Sequence, residues 1–287
     1  MVVATTAGLV ALAVGTPWWL RRRAPQSARV AVVTMVVGLV VTLTLQLLTN
    51  RPRPVITDAL LPSPPLPSFP SGHVVLVMIA VVVASATHRR MALALLPAAL
   101  LVAISRVHVG HHHPTDALGG VFVGVGLGLG ARAWLLAERD GPWRWRCVLW
   151  PQIGLVMAVS LVAYTGVFSD GHAWWLQVPG TDKVLHLLAF GFVALGVHLQ
   201  TRGRAVWGER LPLAVVLPLG VAALEELVQA TSPHRSADLG DLLADLVGLL
   251  LFWRLGVWFT STPRRPSKNG ATPSEKLPRV QGLHDAQ

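Results

Sequence analysis

The stretch that decides the fold is ARVAVVTMVVGLVVTLTLQLLTNRPRP, residues 28–54, a long apolar run that ends in two closely spaced prolines. Residues 28–49 are long enough to cross a bilayer as a helix, which needs about 20 residues at a rise of 1.5 Å each. Pro52 and Pro54 cannot continue that helix. The stretch therefore predicts a membrane span that brings Arg51 and Arg53 to the level of the lipid headgroups.

Apolar runs of this kind recur along the chain up to Phe259. The chain is 53% hydrophobic and only 13% charged, whereas about a quarter of the residues in an ordinary soluble domain are charged. We predict an all-α, polytopic membrane protein with about nine transmembrane helices in two bundles. The predicted spans are 2–20, 28–49, 73–87, 91–109, 115–137, 148–168, 183–200, 211–229 and 239–258.

The net charge of +10 does not indicate a nucleic-acid partner, because the basic residues are scattered between apolar spans. The positive-inside rule explains them better. Arg21, Arg22 and Arg23 directly follow the first span, which we expect to remain in place with its N-terminus outside. The connections that are then cytosolic hold 19 of the 24 Lys and Arg residues. The five on the outer side are Arg51, Arg53, Arg106, Lys183 and Arg235.

The chain divides at the hydrophilic connection 138–146, and the two halves share no repeat. We predict one membrane domain over residues 1–140 and a second over residues 148–259. Residues 260–287 are rich in Pro, Ser and charge, which predicts a disordered cytosolic tail. The single cysteine, Cys147, excludes an intramolecular disulfide.

In the first half, Pro70-Ser71-Gly72-His73 stands directly before an apolar run. Pro, Ser and Gly at a helix start leave backbone N–H groups pointing outward, and such an end attracts phosphate. The fourth span ends in Ser105-Arg106, and His112 and Asp116 follow it. In a helix, a spacing of four would place His112 and Asp116 on one face, where the carboxylate holds the imidazole in one tautomer.

These segments resemble the type 2 phosphatidic acid phosphatases, whose motifs are KxxxxxxRP, PSGH and SRxxxxxHxxxD. The second and third motifs are matched in full, but the first is met only at Arg53-Pro54, because Gln46 stands where lysine is expected. The three motifs occur in order on the predicted outer side of the membrane, which makes the match specific.

The resemblance implies a lipid phosphatase of the bacterial inner membrane whose active site is extracytoplasmic and needs no metal or other cofactor. His112 would be the nucleophile, oriented by Asp116, and His73 the general acid and base. Phosphate would be bound by Arg53, Arg106, Ser71, Gly72, Gln46 and Ser105. Undecaprenyl diphosphate, phosphatidic acid and phosphatidylglycerophosphate are the expected kinds of substrate.

Three alternatives remain open for this half. Gln46 in place of lysine favours a degenerate site that binds or moves lipid without turnover. A phosphotransferase would pass the phosphoryl group from His112 to another acceptor instead of water. A zinc site at His108, His111, His112 and His113 is disfavoured, because no carboxylate or cysteine is spaced to complete it. The sequence does not indicate an oligomeric state.

The second half carries a different set of polar residues at the outer ends of its predicted helices. Asp238, Asp241 and Asp245 fall on one helical stripe that Gly248 extends, and such a stripe should face the interior of the bundle. Lys183 and Arg235 are the expected countercharges. The full set is Asp182, Lys183, His186, Glu225, Glu226, Gln229, Arg235, Asp238, Asp241 and Asp245. This half resembles the VanZ-like family, which implies an envelope role without a defined reaction, and a buried ion-pair network is the structural alternative.

Overall fold

The chain is a bundle of helices. The computed structural model describes residues 14–54, 65–137, 145–168, 178–207, 210–231 and 238–261. The helices in these residues are α1 (Gly15–Arg23), α2 (Pro25–Thr49), α3 (Gly72–Ala84), α4 (Arg89–His108), α5 (Pro114–Leu136), α6 (Arg146–Ala163), α7 (Thr181–Thr201), α8 (Leu213–Gln229) and α9 (Leu239–Ser261). The predicted all-α class is confirmed.

Six of the described helices, α2, α4, α5, α6, α7 and α9, are long and apolar enough to cross a membrane. Helix α3 has 13 residues and α8 has 17, so both are short for a bilayer with a hydrocarbon core of about 30 Å. The chain is thus a multi-pass membrane protein, and the total of nine spans remains a prediction. Most of the predicted first span, residues 2–13, lies outside the described residues, as does the tail from 262 onward.

The segment between α7 and α8 contains a structure that hydropathy did not indicate. Strands β1 (Ala205–Val206) and β2 (Leu211–Pro212) pair antiparallel and form a two-residue ribbon between α7 and α8. The ribbon is too short to change the all-α class.

Helix α3 lies at the centre of the N-terminal bundle. Val75, Ile79 and Val83 are fully buried there, and α2, α4 and α5 pack around the helix. The approach to α5 requires glycine, because a Cβ atom on Gly124 would lie 2.6 Å from the carbonyl oxygen of Val75. Small residues allow two membrane helices to approach closely, and this contact brings the starts of α3 and α5 together.

Helix α6 packs on α5, across the boundary between the two predicted domains. A Cβ atom on Gly126 would lie 2.8 Å from the carbonyl oxygen of Trp150 and 3.0 Å from the Cα of Gly154. Ala158 and Val162 of α6 join the same apolar core as Val75. The core of the first half therefore continues into residues that the sequence assigned to the second, and the domain limits remain a prediction.

The C-terminal helices α7, α8 and α9 pack around a second apolar core that contains Phe190, Ala194 and Leu249. Gly248 of α9 contacts the backbone of Leu187, so α7 and α9 approach closely. On the same stripe of α9, Asp241 and Asp245 are buried and hydrogen-bond to side chains of α7. The acidic stripe thus faces α7.

Candidate active site

The loop that precedes α3 is held in place by α2. Gln46 donates from Nε2 to the carbonyl oxygen of Pro70 at 3.1 Å. Thr49 donates from Oγ1 to the carbonyl oxygen of Phe69 at 3.4 Å. The backbone N–H of Ser68 donates to the carbonyl oxygen of Arg51 at 2.9 Å. The loop is therefore fixed at three consecutive residues, Ser68, Phe69 and Pro70, and the Gln46 amide is one of its supports.

Ser71 is the N-cap of α3, as the sequence indicated, but its side chain makes no cap hydrogen bond. Its backbone N–H donates to the carbonyl oxygen of Asp116 at 3.0 Å, which joins the starts of α3 and α5. The Ser71 hydroxyl is fully buried and has no hydrogen-bond partner in the described part of the chain. A buried hydroxyl without a partner is costly, and this one remains available to a ligand next to the N–H groups that begin α3.

His112 lies in the turn between α4 and α5 and is only 4% exposed. Its Nδ1 is 2.8 Å from the carbonyl oxygen of Ser68. A carbonyl can only accept, so Nδ1 carries the proton in a neutral ring and Nε2 keeps its lone pair. Arg53 places Nη1 3.4 Å from that Nε2. The nitrogen that keeps its lone pair therefore faces a guanidinium, which places a positive charge beside it.

Burial lowers the pKa of His112 below the usual value for histidine, and the nearby carboxylate of Asp116 opposes this effect without reversing it. The imidazole is thus neutral near pH 7, the form that can attack phosphorus. Burial also lowers the pKa of Arg53, while the charge of Asp116 raises it. His112 is therefore shielded from water, whereas Arg53 is partly exposed.

The sequence suggested that His112 and Asp116 share one face of a helix. The structure shows that they do not. Helix α5 begins at Pro114, a common first helical residue because it lacks an N–H, so His112 lies before the helix. The carboxylate Oδ2 accepts the backbone N–H of His113 at 2.7 Å and lies 3.7 Å from Nδ1 of His112. Asp116 therefore fixes the turn that carries His112, and its direct contact with the ring is long.

Arg51 is the main partner of Asp116, which sequence reasoning missed. Its Nη1 lies 2.5 Å from Oδ1 of Asp116 and 2.7 Å from the hydroxyl of Thr115. Arg51 is only 8% exposed, which corrects the prediction that it reaches the level of the lipid headgroups. The signal that could have indicated this role is its place on the predicted outer side, where cations are disfavoured.

Arg53 and Arg106 reach the site from different helix ends and bind neighbouring parts of the same turn. Arg53 donates from Nη1 to the carbonyl oxygen of His111 at 2.6 Å. Arg106 places Nη2 2.6 Å from Nδ1 of His111. Its Nε is buried and has no partner among the described residues. Both guanidiniums therefore border the pocket of His112, and Arg106 keeps a spare donor.

His73 and Ser105 complete the residues that the motifs singled out in this half. His73 is the second residue of α3 and lies within electrostatic range of Arg53, Arg106 and His112. Ser105 donates from Oγ to the carbonyl oxygen of Val102 at 2.8 Å, within its own helix. The ends of α2 and α4 and the starts of α3 and α5 thus surround one pocket that is rich in cations and imidazoles.

The C-terminal polar residues form a second cluster. Lys183 donates to one oxygen each of Asp182, Asp238 and Asp241, at 3.2 Å from Asp182 and 2.7 Å from Asp241. The hydrogen bond to Lys183 lowers the pKa of Asp238. The three carboxylates are close enough to hold a metal ion, but the Lys183 ammonium already donates to each of them.

The other predicted residues of this half extend the cluster along α7, α8 and α9. His186 places Nδ1 3.0 Å from Oδ1 of Asp245, and the Ser160 hydroxyl of α6 donates to Glu225. Glu226 accepts the backbone N–H of Asp238, and the Gln229 side chain is 1% exposed. Arg235 lies outside the described residues.

Residues 27–140 match the family model of the PAP2 superfamily, so the N-terminal half of the chain contains a domain of this superfamily. That half is also similar to the undecaprenyl-diphosphatase BcrC of Bacillus subtilis (strain 168), with 31% identity over 99 residues. This alignment covers 33% of the chain and 51% of BcrC, about half the length of that relative. No solved structure matches the chain. The family match ends at residue 140, and the VanZ-like resemblance of the second half stays a prediction.

Proposed function

We propose that the N-terminal domain is a metal-independent lipid phosphatase that works through a phosphohistidine. The observation that carries this proposal is the setting of His112: its Nδ1–H donates to Ser68 and its Nε2 faces Arg53. This geometry leaves one nitrogen with a lone pair and places a cation where the charge of the substrate would lie. The match to the PAP2 superfamily supports the same class of reaction.

In the proposed reaction, Nε2 of His112 attacks phosphorus and the bond to the leaving oxygen breaks. His73 donates a proton to that oxygen and then accepts one from a water molecule, which attacks the phosphohistidine and releases inorganic phosphate. Arg53 and Arg106 bind the phosphoryl oxygens, together with the Ser71 hydroxyl and the N–H of Gly72. Asp116 and Gln46 do not bind the substrate in this reaction. Asp116 positions His112 by fixing the turn at His113, and Gln46 positions Ser71 by fixing Pro70.

We propose a lipid phosphate or diphosphate as the substrate, with the active site at the outer leaflet of the bacterial inner membrane. The pocket lies where the described helices α2 and α4 end, which supports a position at headgroup depth, and a soluble phosphate would not need the site there. The distribution of Lys and Arg residues supports an outer location of this face under the positive-inside rule. Undecaprenyl diphosphate is the preferred candidate, because the N-terminal half is similar to a protein named for that activity.

Phosphate release from lipid substrates in detergent tests the proposal. The wild type should release phosphate from undecaprenyl diphosphate, His112→Ala should not, and EDTA should change neither result. The matched control is His108→Ala, because His108 is an exposed histidine of the neighbouring helix end. Equal release by wild type and His112→Ala would contradict the phosphohistidine route, and loss of activity in EDTA would contradict its independence from metal.

A lipid-binding protein without turnover is the second candidate, and Gln46 is the observation that favours it. The position expected to hold lysine instead holds an amide that donates to Pro70, so the site lacks one cation. A charge-assisted hydrogen bond contributes about 1.5–3 kcal/mol, which slows a reaction without abolishing it. Binding of undecaprenyl diphosphate without phosphate release, in both wild type and Gln46→Lys, would favour this candidate.

A further inference from the structure

A cavity of about 950 Å³ lies between the two halves of the chain. Leu45 and Leu48 of α2, the C-terminal part of α6 and the N-terminal part of α7 form its walls. Its volume is at the upper end of the usual range for small-molecule pockets. The pocket of His112 is separate from it, since none of the motif residues lines the cavity.

The walls extend for about the thickness of one lipid leaflet. On α6 the lining runs from Gln152 to Ala163, and on α7 from Asp182 to Phe192. At 1.5 Å per residue these segments are about 15–17 Å long, which is half of a hydrocarbon core of about 30 Å. Leu155, Leu185 and Phe192 line the cavity and are also exposed at the surface of the bundle. An acyl chain can therefore enter from the bilayer.

The end of the cavity near the start of α7 is charged, and its balance is negative. Among the described residues, Asp182, Glu225, Asp238 and Asp241 line it against one lysine, Lys183, so the formal charge of this described lining is −3 when His186 is neutral. A lysine ammonium has three N–H donors, and those of Lys183 go to Asp182, Asp238 and Asp241. This end therefore offers acceptors and negative charge, and Lys183 has no donor left for an anion.

We propose that this cavity binds a membrane lipid with a primary-amine headgroup, with one chain along α6 and α7 and the ammonium among the carboxylates. The negative charge favours a cation, and the surplus of acceptors favours one that carries N–H donors. A phosphate alone would meet like charge, which disfavours it. This site is independent of phosphate hydrolysis at His112.

The test uses the full chain in mixed micelles that contain equal amounts of phosphatidylethanolamine, phosphatidylcholine and phosphatidylglycerol with identical acyl chains. Native mass spectrometry then counts the bound lipids. We expect phosphatidylethanolamine to be enriched about fivefold over phosphatidylglycerol, the effect of one partly exposed charge interaction. Equal retention of all three lipids, retention of phosphatidylcholine as strong as that of phosphatidylethanolamine, or a preference for phosphatidylglycerol would overturn the proposal.

Two variants locate the binding. Asp182→Asn combined with Asp238→Asn removes two carboxylates that are about half exposed, with side-chain exposures of 50% and 47%. The enrichment of phosphatidylethanolamine should then disappear.

Val156→Trp fills the apolar part of the cavity and should reduce the binding of all three lipids. Met157→Trp changes an exposed neighbour outside the lining and should not reduce it. Unchanged enrichment in the double variant would overturn the proposal, as would its loss in EDTA, which would indicate a bridging metal. His112→Ala should keep the enrichment.

Discussion

The two polar clusters of this chain have opposite designs. In the N-terminal cluster a single buried carboxylate, Asp116, lies among arginines and imidazoles. In the C-terminal cluster a single ammonium, Lys183, lies among three aspartates. Both are built at helix ends of a membrane bundle, where charges are costly unless they are paired or used. The surplus charge of the N-terminal cluster is positive, which fits an anion. The surplus charge of the C-terminal cluster is negative, which fits a cation.

In each cluster the one residue of opposite charge, Asp116 in the first and Lys183 in the second, organises the others. Asp116 holds Arg51 and the N–H of His113 and so leaves Arg53 and Arg106 to face the pocket. Lys183 binds the three carboxylates together with all of its donors. Removing either partner of the Arg51–Asp116 pair should therefore disturb structure, whereas removing Arg53, which faces the pocket, should disturb ligand binding.

The largest effect is expected for Arg53→Met. The substitution removes a guanidinium that lies 3.4 Å from Nε2 of His112, and two charge-assisted hydrogen bonds to a phosphoryl group contribute about 1.5–3 kcal/mol each. Phosphate release, measured as kcat/KM on a lipid diphosphate, should fall by at least about 100-fold. Arg89→Met removes an exposed arginine from the opposite end of α4 and should leave the rate unchanged. A loss below tenfold for Arg53→Met would show that Arg53 does not bind substrate.

Arg51→Met should destabilise the fold, because it leaves the fully buried Asp116 without its main partner. Breaking a buried ion pair from one side costs about 3–5 kcal/mol. Thermal unfolding in detergent should show a clearly lower midpoint, and the loss should be smaller in Arg51→Met combined with Asp116→Asn than the sum of the two single losses. Additive losses would contradict the pairing.

Gly126→Ala should weaken the packing of α6 on α5, which joins the two halves. The new Cβ would lie 2.8 Å from the carbonyl oxygen of Trp150, and overpacking of this kind costs about 1–3 kcal/mol. Gly220 of α8 has no atom within 4 Å of such a Cβ among the described residues, so Gly220→Ala is the matched control and should be neutral or slightly stabilising. A Gly126→Ala variant that unfolds at the wild-type midpoint would contradict the close approach.

The acid limb of kcat/KM should lie below pH 6.5, the usual pKa of histidine. Burial lowers the pKa of His112, so its neutral, nucleophilic form persists as the pH falls through 6.5 and is lost only at more acidic pH. Rates measured with a lipid monophosphate and a lipid diphosphate separate this limb from titration of the substrate, because an enzyme group gives the same limb with both. A shared limb at or above pH 6.5 would contradict the burial of His112.

The smallest effect on phosphate release is expected for Lys183→Met. The donors of Lys183 go to Asp182, Asp238 and Asp241, and substitutions at sites without shared partners act independently. The rate should stay within about twofold of wild type. A tenfold loss would show that the two clusters are coupled.

The sequence predicted the helical membrane architecture well, because a bilayer imposes a length and a polarity that can be read locally. Helix α2 ends at Thr49, as residues 28–49 predicted, since Pro52 and Pro54 follow it. The ends of α3 and α6 were predicted less well: α3 stops at Ala84 and α6 at Ala163, and each is followed by a turn of uncharged residues, 85–87 and 164–168, that the predicted spans included. Hydropathy cannot separate a helix from such a turn.

The sequence predicted which residues form the candidate site, but it did not predict which groups those residues contact. The motifs singled out His112, Asp116 and Arg53, whereas the pairing of Asp116 with Arg51 joins positions 65 residues apart and leaves no local pattern. The acceptor of His112 is a backbone carbonyl, that of Ser68, and a main-chain group has no signature in the sequence. The support that Gln46 gives to Pro70 was hidden for the same reason.

The most direct test of the central claim is to trap the phosphorylated enzyme. Purified wild type is mixed with a lipid diphosphate labelled in the terminal phosphate, quenched in alkali within milliseconds, and digested for peptide mapping. We predict an acid-labile phosphoryl group on the peptide that contains His112, absent from His112→Ala and present in His108→Ala. Turnover of substrate by wild type with no label on His112, or with the label on His73, would contradict the proposed nucleophile.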